Sequence, residues 1–232
     1  YEEGYLRPGY ITLEEGGVNA YSSLPRTPES VRMRAAELQN ADLPLPSNAP
    51  NPMQGRVLKT AWNHVGNVLL WPFFHRYRTH LPYCIGRDLM GHVPRYLNRK
   101  RRRKHGLEVT RQLLHQQESF YLMPLQLDAD AQIRRHSPFT GMLECMAQVV
   151  TNFARNAPGD AFLVFKNHPL DNGLRNYRRY MRSLARATGC SDRLRFVEEV
   201  DAGPLCRRSR AIVLCNSTLG LSALDRKSTR LN

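Results

Sequence analysis

Apolar residues in this chain fall into short runs separated by stretches of helical period. Ala161–Phe165, Leu194–Val197 and Ala211–Cys215 are mostly apolar runs bounded by polar turns, as expected of strands buried on both faces. Phe120–Leu127 reads as a further strand despite Pro124. Between the runs, residues 142, 143, 146, 149, 150 and 153 form a one-sided apolar stripe, opened by Pro138 and closed by Pro158-Gly159. Leu174–Ala187 reads as a helix ended by Gly189, and a short helix is expected near 201–208. Strands alternating with helices predict βαβ units and a parallel sheet. Residues 119–224 are therefore expected to form a βαβαβαβα half.

The pattern before residue 118 is weaker. Ile11–Leu13 suits a short strand, and Pro28-Glu29-Ser30 opens a helix over Val31–Gln39. Asp42–Pro52 is proline-rich and expected to be extended. Apolar positions 57, 58, 61, 62, 65, 68 and 69 match a helix that Trp71-Pro72 ends. Trp62, Trp71, Phe73, Phe74, Tyr77 and Tyr83 are assigned to core. Val65–Phe74 is the best candidate for a membrane span, but it contains Gly, Asn and Pro and falls well short of the roughly 20 residues needed.

Charge narrows the choice of partners. The 232 residues carry 34 Lys plus Arg against 20 Asp plus Glu, a net charge of +14. That excess favours anions: nucleic acid, phospholipid head groups or phosphorylated substrates. Arg99–Lys104 reads RKRRRK. It is a solvated loop or helix face, a nucleic-acid patch, or a contact with an anionic membrane. The five cysteines show no CxxC pair, which points to reduced, buried thiols in a cytosolic protein. No metal site is expected, because HxH, HExxH and CxxC are all missing from the chain. It also lacks GxxxxGK[ST], GxGxxG and GxSxG, the marks of ATP-loop, dinucleotide and hydrolase sites.

Ligands of open parallel sheets bind beyond the carboxyl ends of strands. Three polar clusters follow expected strands. Asn216, Ser217, Thr218 and Gly220 lie between a strand and a helix start, where they serve as a helix cap, an anion site, or both. Lys166, Asn167, His168 and Pro169 follow another strand. An imidazolium there can neutralise a leaving phosphate or donate a proton, although a lone histidine is more often structural. Asp171 is placed to cap the next helix. Gln126 and Asp128 follow a third strand, and Asp128 is a turn residue, a nucleophile, a base or a sugar ligand. Glu2, Glu3, Glu14 and Glu15 read as solvated surface.

Four blocks taken together carry a family likeness: EEGYLRPGYITLEEGGVN at the start, QLD at 126–128, KNHPLDNG at 166–173 and FVEEVDAGPLCRRSRAIVLCNSTLGLSAL at 196–224. They resemble the bacterial capsule polysaccharide biosynthesis and export family. Within it they are most similar to the single-module β-Kdo transferases of group 2 type capsules. The likeness covers nearly all of Tyr1–Leu224, loosely across 24–115.

The resemblance implies an α/β glycosyltransferase of GT-B type, a pair of Rossmann-type domains that are both incomplete here. The acceptor-side domain would be 1–117 and the nucleotide-sugar-binding domain 118–224, with a parallel sheet covered by helices on both faces. It also implies a CMP-β-Kdo donor, an anionic phospholipid acceptor of phosphatidylglycerol type, retention of configuration, and no cofactor or metal. His168 and Pro169 would lie beside the CMP phosphate with Lys166. Asn216, Ser217, Thr218 and Gly220 would bind the nucleotide. Asp128 would be the nucleophile, supported by Gln126. Glu3 would be the acid/base or an acceptor-side residue, and Arg7 an anion contact. The expected place is cytoplasmic, peripheral to the inner membrane, beside other capsule assembly proteins and without nucleic acid.

The tail Asp225–Asn232 (DRKSTRLN) breaks the pattern and resembles translated sequencing-adapter read-through. The chain is expected to be truncated at both ends, and such a piece need not be active alone. Two rivals stand beside this reading. One is a GT-B transferase with another donor, CMP-sialic acid or a UDP-sugar. The other is a basic nucleic-acid-binding protein, whose affinity would fall steeply with salt.

Overall fold

The computed structural model describes residues 2–3, 11–12, 22–23, 27–38, 62–63, 65–67, 69–76, 85–217 and 220. Two compact units divide the chain, Tyr1–Pro72 and Phe73–Asn232. In the first, strand β1 (Glu2–Glu3) pairs antiparallel with β2 (Ile11–Thr12). Helix α1 (Pro28–Leu38) begins where expected. Thr27 Oγ1 accepts from Ser30 N at 3.3 Å, a side-chain cap with proline in the first helical position.

The second unit carries the sheet. Helices α2 (Ile85–Leu97) and α3 (Arg99–His115) precede it. Then come β3 (Phe120–Pro124), a short α4 (Ala131–Arg134), α5 (Met142–Asn156), β4 (Phe162–Lys166), α6 (Tyr177–Ala187), β5 (Leu194–Val197), α7 (Ala202–Arg208) and β6 (Ala211–Ile212). The four strands are parallel in the order β5-β4-β3-β6. The expected parallel α/β sheet is therefore present. Pro124 is tolerated because it ends β3, opposite Lys166.

Strand residues alternate between two cores, as their period of two requires. Met123, Leu163, Phe165, Leu194 and Phe196 face α5 and α6, packing with Met146, Val150, Phe153 and Met181. Phe120, Leu122, Val164 and Val197 face α3 and α7, packing with Val109, Leu113 and Leu205. Helices thus cover both faces, and the strands read as continuous apolar runs for that reason. Gly189 follows α6 with φ of +70°, the left-handed conformation that ends a helix at little cost in glycine. Cys145, Cys190 and Cys206 are buried free thiols. Burial, with Cys215 beside it, pushes the Cys145 thiol up to about 12.

Several expectations are corrected. The pattern does not reveal helices α2 and α3: α3 packs on β5 and α7, and α2 meets α3 and the loops after β4 and β5. Cations crowd the first turns of α3, against the helix dipole. Its inner positions 106, 109 and 113 recur at helical spacing. Helix α6 starts three residues late, and β6 stops at Ile212. Trp62, Trp71, Phe73 and Phe74, assigned to core, are exposed. Tyr77, Tyr83, Cys84, Asp42–Pro52 and the tail at 225–232 lie outside the described residues.

Candidate functional site

The strand order reverses between β3 and β6: the chain winds outward from β3 to β5, then returns to β3's other side. At such a switch point the loops part and leave a crevice at the carboxyl edge. Because all four strands are parallel, Asp128 after β3, His168 after β4 and Ser217 after β6 leave the sheet at one rim.

The β3–β6 side is held by amides. Gln126 Nε2 donates to Asn216 Oδ1 at 3.2 Å. Asn216 Nδ2 donates to the carbonyls of Gln132 at 2.6 Å and His136 at 3.0 Å. The Asn216 amide therefore latches the loop after β6 to the loop after β3. Ser217 is half-buried beside it, and the Ser217 carbonyl accepts from Gly220 N at 3.0 Å.

Asp128 is committed at both oxygens. Its Oδ1 accepts from Met142 N, the first residue of α5, at 2.8 Å. That bond satisfies an orphan donor at the positive end of the helix dipole. Its Oδ2 pairs with Arg175 Nε, whose side chain is half-exposed. Arg175 belongs to the loop that carries His168, so this ion pair ties two rim loops together.

His168 sits at the mouth of β4. Its backbone N–H donates to Asn167 Oδ1 at 2.9 Å, and its Nδ1 accepts from Leu170 N at 3.1 Å. With Nδ1 taken as an acceptor, the neutral ring carries its proton on Nε2. Burial above all, then the charges of Lys166 and Arg95, pushes its pKa down to about 4. The imidazolium expected from sequence is therefore a neutral imidazole at pH 7, a hydrogen-bond donor without charge. Burial likewise lowers the pKa of Lys166, whose Nζ donates to Asn167 O at 3.2 Å.

Below His168 lies a charge network that sequence reasoning missed. Arg95 of α2 donates to Asp171 Oδ2 at 2.6 Å, to His168 O at 3.1 Å and to Glu199 Oε1 at 3.2 Å. Arg102 of α3 and Arg178 of α6 reach the buried Glu198 at 2.6 and 3.3 Å. Asn167 Nδ2 lies within reach of both Asp171 and Glu198, at 3.0 and 3.3 Å. Buried charges persist only when paired, and each here has a partner. Asp171 does not cap the next helix: Asn176 does, accepting from Arg179 N at 2.9 Å. The available signal was Glu198-Glu199 directly after a buried strand, a position where carboxylates demand cations.

Glu3 lies in β1, in the first unit. Pro169 follows His168 in the β4 exit loop. Arg7 and Thr218 lie outside the described residues. Among the described residues, no helix is long and apolar enough to cross a membrane.

Comparison with known proteins agrees with these motifs. The profile of the family described as capsule polysaccharide biosynthesis protein matches residues 1–230. The chain is 35% identical over 228 residues to the capsule polysaccharide export protein KpsS of Escherichia coli, covering 97% of this chain and 57% of that protein. It is 31% identical over 233 residues to the capsule polysaccharide modification protein LipB of Neisseria meningitidis serogroup A, covering 97% of this chain and 54% of that protein. The chain thus spans about half the length of these relatives. No solved structure matches. With the match running almost end to end and the motif-bearing loops gathered on one rim, the chain belongs to the capsule polysaccharide biosynthesis family.

Proposed function

We propose that this chain is part of a capsule glycosyltransferase that moves β-Kdo from CMP-Kdo to an anionic phospholipid of phosphatidylglycerol type. One observation carries the reading. A neutral His168, its Nδ1 pinned and its Nε2–H available, stands beside partly desolvated Lys166 at the rim that also bears Asp128 and Ser217. Such a pair suits a departing phosphate. The ammonium offsets the charge that develops, and the imidazole adds a directed hydrogen bond. The family match supports a role in building capsule polymer.

Retention from a β donor calls for a nucleophile, and Asp128 is the carboxylate proposed. Attack through Oδ2 requires Arg175 to swing off. Half-exposed Arg175 would then pair with the carboxylate of the incoming sugar. The Met142 N–H keeps Oδ1 aimed throughout. Gln126 and Asn216 would act by holding the rim loops together, while Ser217, Thr218 and Gly220 offer the nucleotide site proper. Glu3 as acid/base and Arg7 as anion contact remain part of the proposal. So do the cytoplasmic face of the inner membrane as workplace and other capsule assembly proteins as neighbours.

The test is transfer by the full chain from CMP-Kdo to a phosphatidylglycerol acceptor, followed by CMP release. His168→Ala should lower kcat by about 10²-fold or more, the scale of a lost transition-state donor. Release of CMP from CMP-sialic acid, or turnover of a UDP-sugar, with none from CMP-Kdo would favour the rival donors.

A further inference from the structure

Helix α2 is built inside out. Its inner side carries Arg95, buried against Asp171, Glu199 and the His168 carbonyl. Its outer side is apolar: Met90, Tyr96 and Leu97 are each 75% exposed and Val93 is 50% exposed. Met90, Val93 and Leu97 share one face at spacings of three and four, with Tyr96 at its edge. A helix on a water-facing surface carries the opposite pattern.

Cations follow directly, in the first turns of α3. Of the RKRRRK run, Arg99 pairs with Glu199 from the surface and half-buried Arg102 reaches Glu198. Lys100, Arg101, Arg103 and Lys104 are exposed, and no acidic residue lies between 99 and 107. None of the four forms an ion pair with another described residue. Exposed Leu107 lies one turn beyond Arg103.

We infer that the outer face of α2 and the first turns of α3 form one docking surface for an anionic bilayer. Met90, Val93 and Leu97 enter the boundary between head groups and acyl chains, Tyr96 sits at its polar edge, and the four cations hold lipid phosphates. Charge complementarity selects this occupant. A nucleic acid would satisfy the cations and leave the apolar stripe in water. An apolar protein groove would cover the stripe and leave four cations opposite nothing. An anionic lipid surface answers both. The inference deepens the lipid-acceptor reading on which it rests. Arg95 binds the His168 carbonyl from the inner side of the same helix, so docking would bring lipid to within about one helix diameter, roughly 10–12 Å, of the rim.

The test is flotation of the full chain with phosphatidylcholine–phosphatidylglycerol vesicles, in the absence of donor. Wild type should float with these vesicles, weaken as salt rises and ignore pure phosphatidylcholine. Met90→Asp/Leu97→Asp should bind at least about tenfold more weakly with its Tm unchanged. Changing Lys100, Arg101, Arg103 and Lys104 to Gln should cost about fivefold per charge. No flotation, or flotation indifferent to both variants, overturns the inference. A fall in Tm or the loss of a dimer in the aspartate variant, with flotation unchanged, also overturns it, by showing the face covered by protein. Transfer to a detergent-dispersed short-chain acceptor is read in parallel. If transfer persists while vesicle binding fails, the surface falls and the glycosyltransferase stands; binding without transfer is the reverse.

Discussion

Arg95 and Asp171 form a 2.6 Å ion pair with both side chains more than nine-tenths buried. The pair joins α2 to the loop that presents His168, and the same guanidinium holds the His168 carbonyl. Removing one partner strands the other charge in a low dielectric. Arg95→Ala should therefore lose about 3–5 kcal/mol in urea unfolding. A loss below about 1 kcal/mol would mean that water reaches the pair.

Asp128 can be probed by separating cap from charge. Asp128→Asn keeps an acceptor for Met142 N and loses the attraction to Arg175, and should cost under about 1 kcal/mol. Asp128→Ala loses the cap too and should cost about 1–2 kcal/mol. A nucleophile would lose transfer in both variants alike, whereas a structural aspartate would let activity follow stability.

His168 makes stability depend on pH. Its pKa is about 4 in the fold against 6.5 unperturbed. Between those values the unfolded chain binds the extra proton, so stability is full above about pH 6.5 and falls as pH drops towards 4. The loss attributable to this residue is on the order of 2–3 kcal/mol. Urea midpoints of wild type and His168→Gln at pH 7.5 and pH 4.5 check it. The variant should show a flatter dependence, and equal slopes would contradict the neutral imidazole.

Gly106 permits α3 to lie against the exit of β5. An added Cβ would overlap the Glu198 carbonyl and crowd Val200. Alanine is the better helix former by about 1 kcal/mol, yet Gly106→Ala should destabilise by roughly 1–3 kcal/mol, because backbone cannot yield as a side chain does. Thermal unfolding decides the sign.

Asn216→Ala removes the donor to the Gln132 and His136 carbonyls and the acceptor of Gln126 Nε2. Loss of about 1–3 kcal/mol is expected, together with faster hydrogen exchange across 125–136. Unchanged exchange there would show that the latch does not hold the rim.

Much of the fold was legible because buried parallel strands declare themselves as apolar runs. Ala161–Phe165 and Leu194–Val197 appear within a residue of their expected bounds, and the stripe from 142 to 153 marks α5. Candidate residues at strand ends were legible for a related reason, since parallel strands put their exits on one rim whatever the intervening helices do. Helix α2 was hidden because its inner side satisfies charge through Arg95, and α3 because its first half is cationic and its inner side adds only Val109 and Leu113 to the core. Arg95 and Arg102 look from sequence like any surface cation.

By itself, then, the chain's order of apolar runs and polar exits determined a parallel sheet and the edge at which those polar exits gather, since period and burial are local properties. Only the tertiary structure decided the rest. It set Asp128 against α5 and Arg175, held His168 neutral, and divided RKRRRK into two arginines paired with Glu198 and Glu199 and four exposed cations. Desolvation and charge pairing depend on neighbours about 80 to 100 residues away in the chain, and no local pattern encodes them.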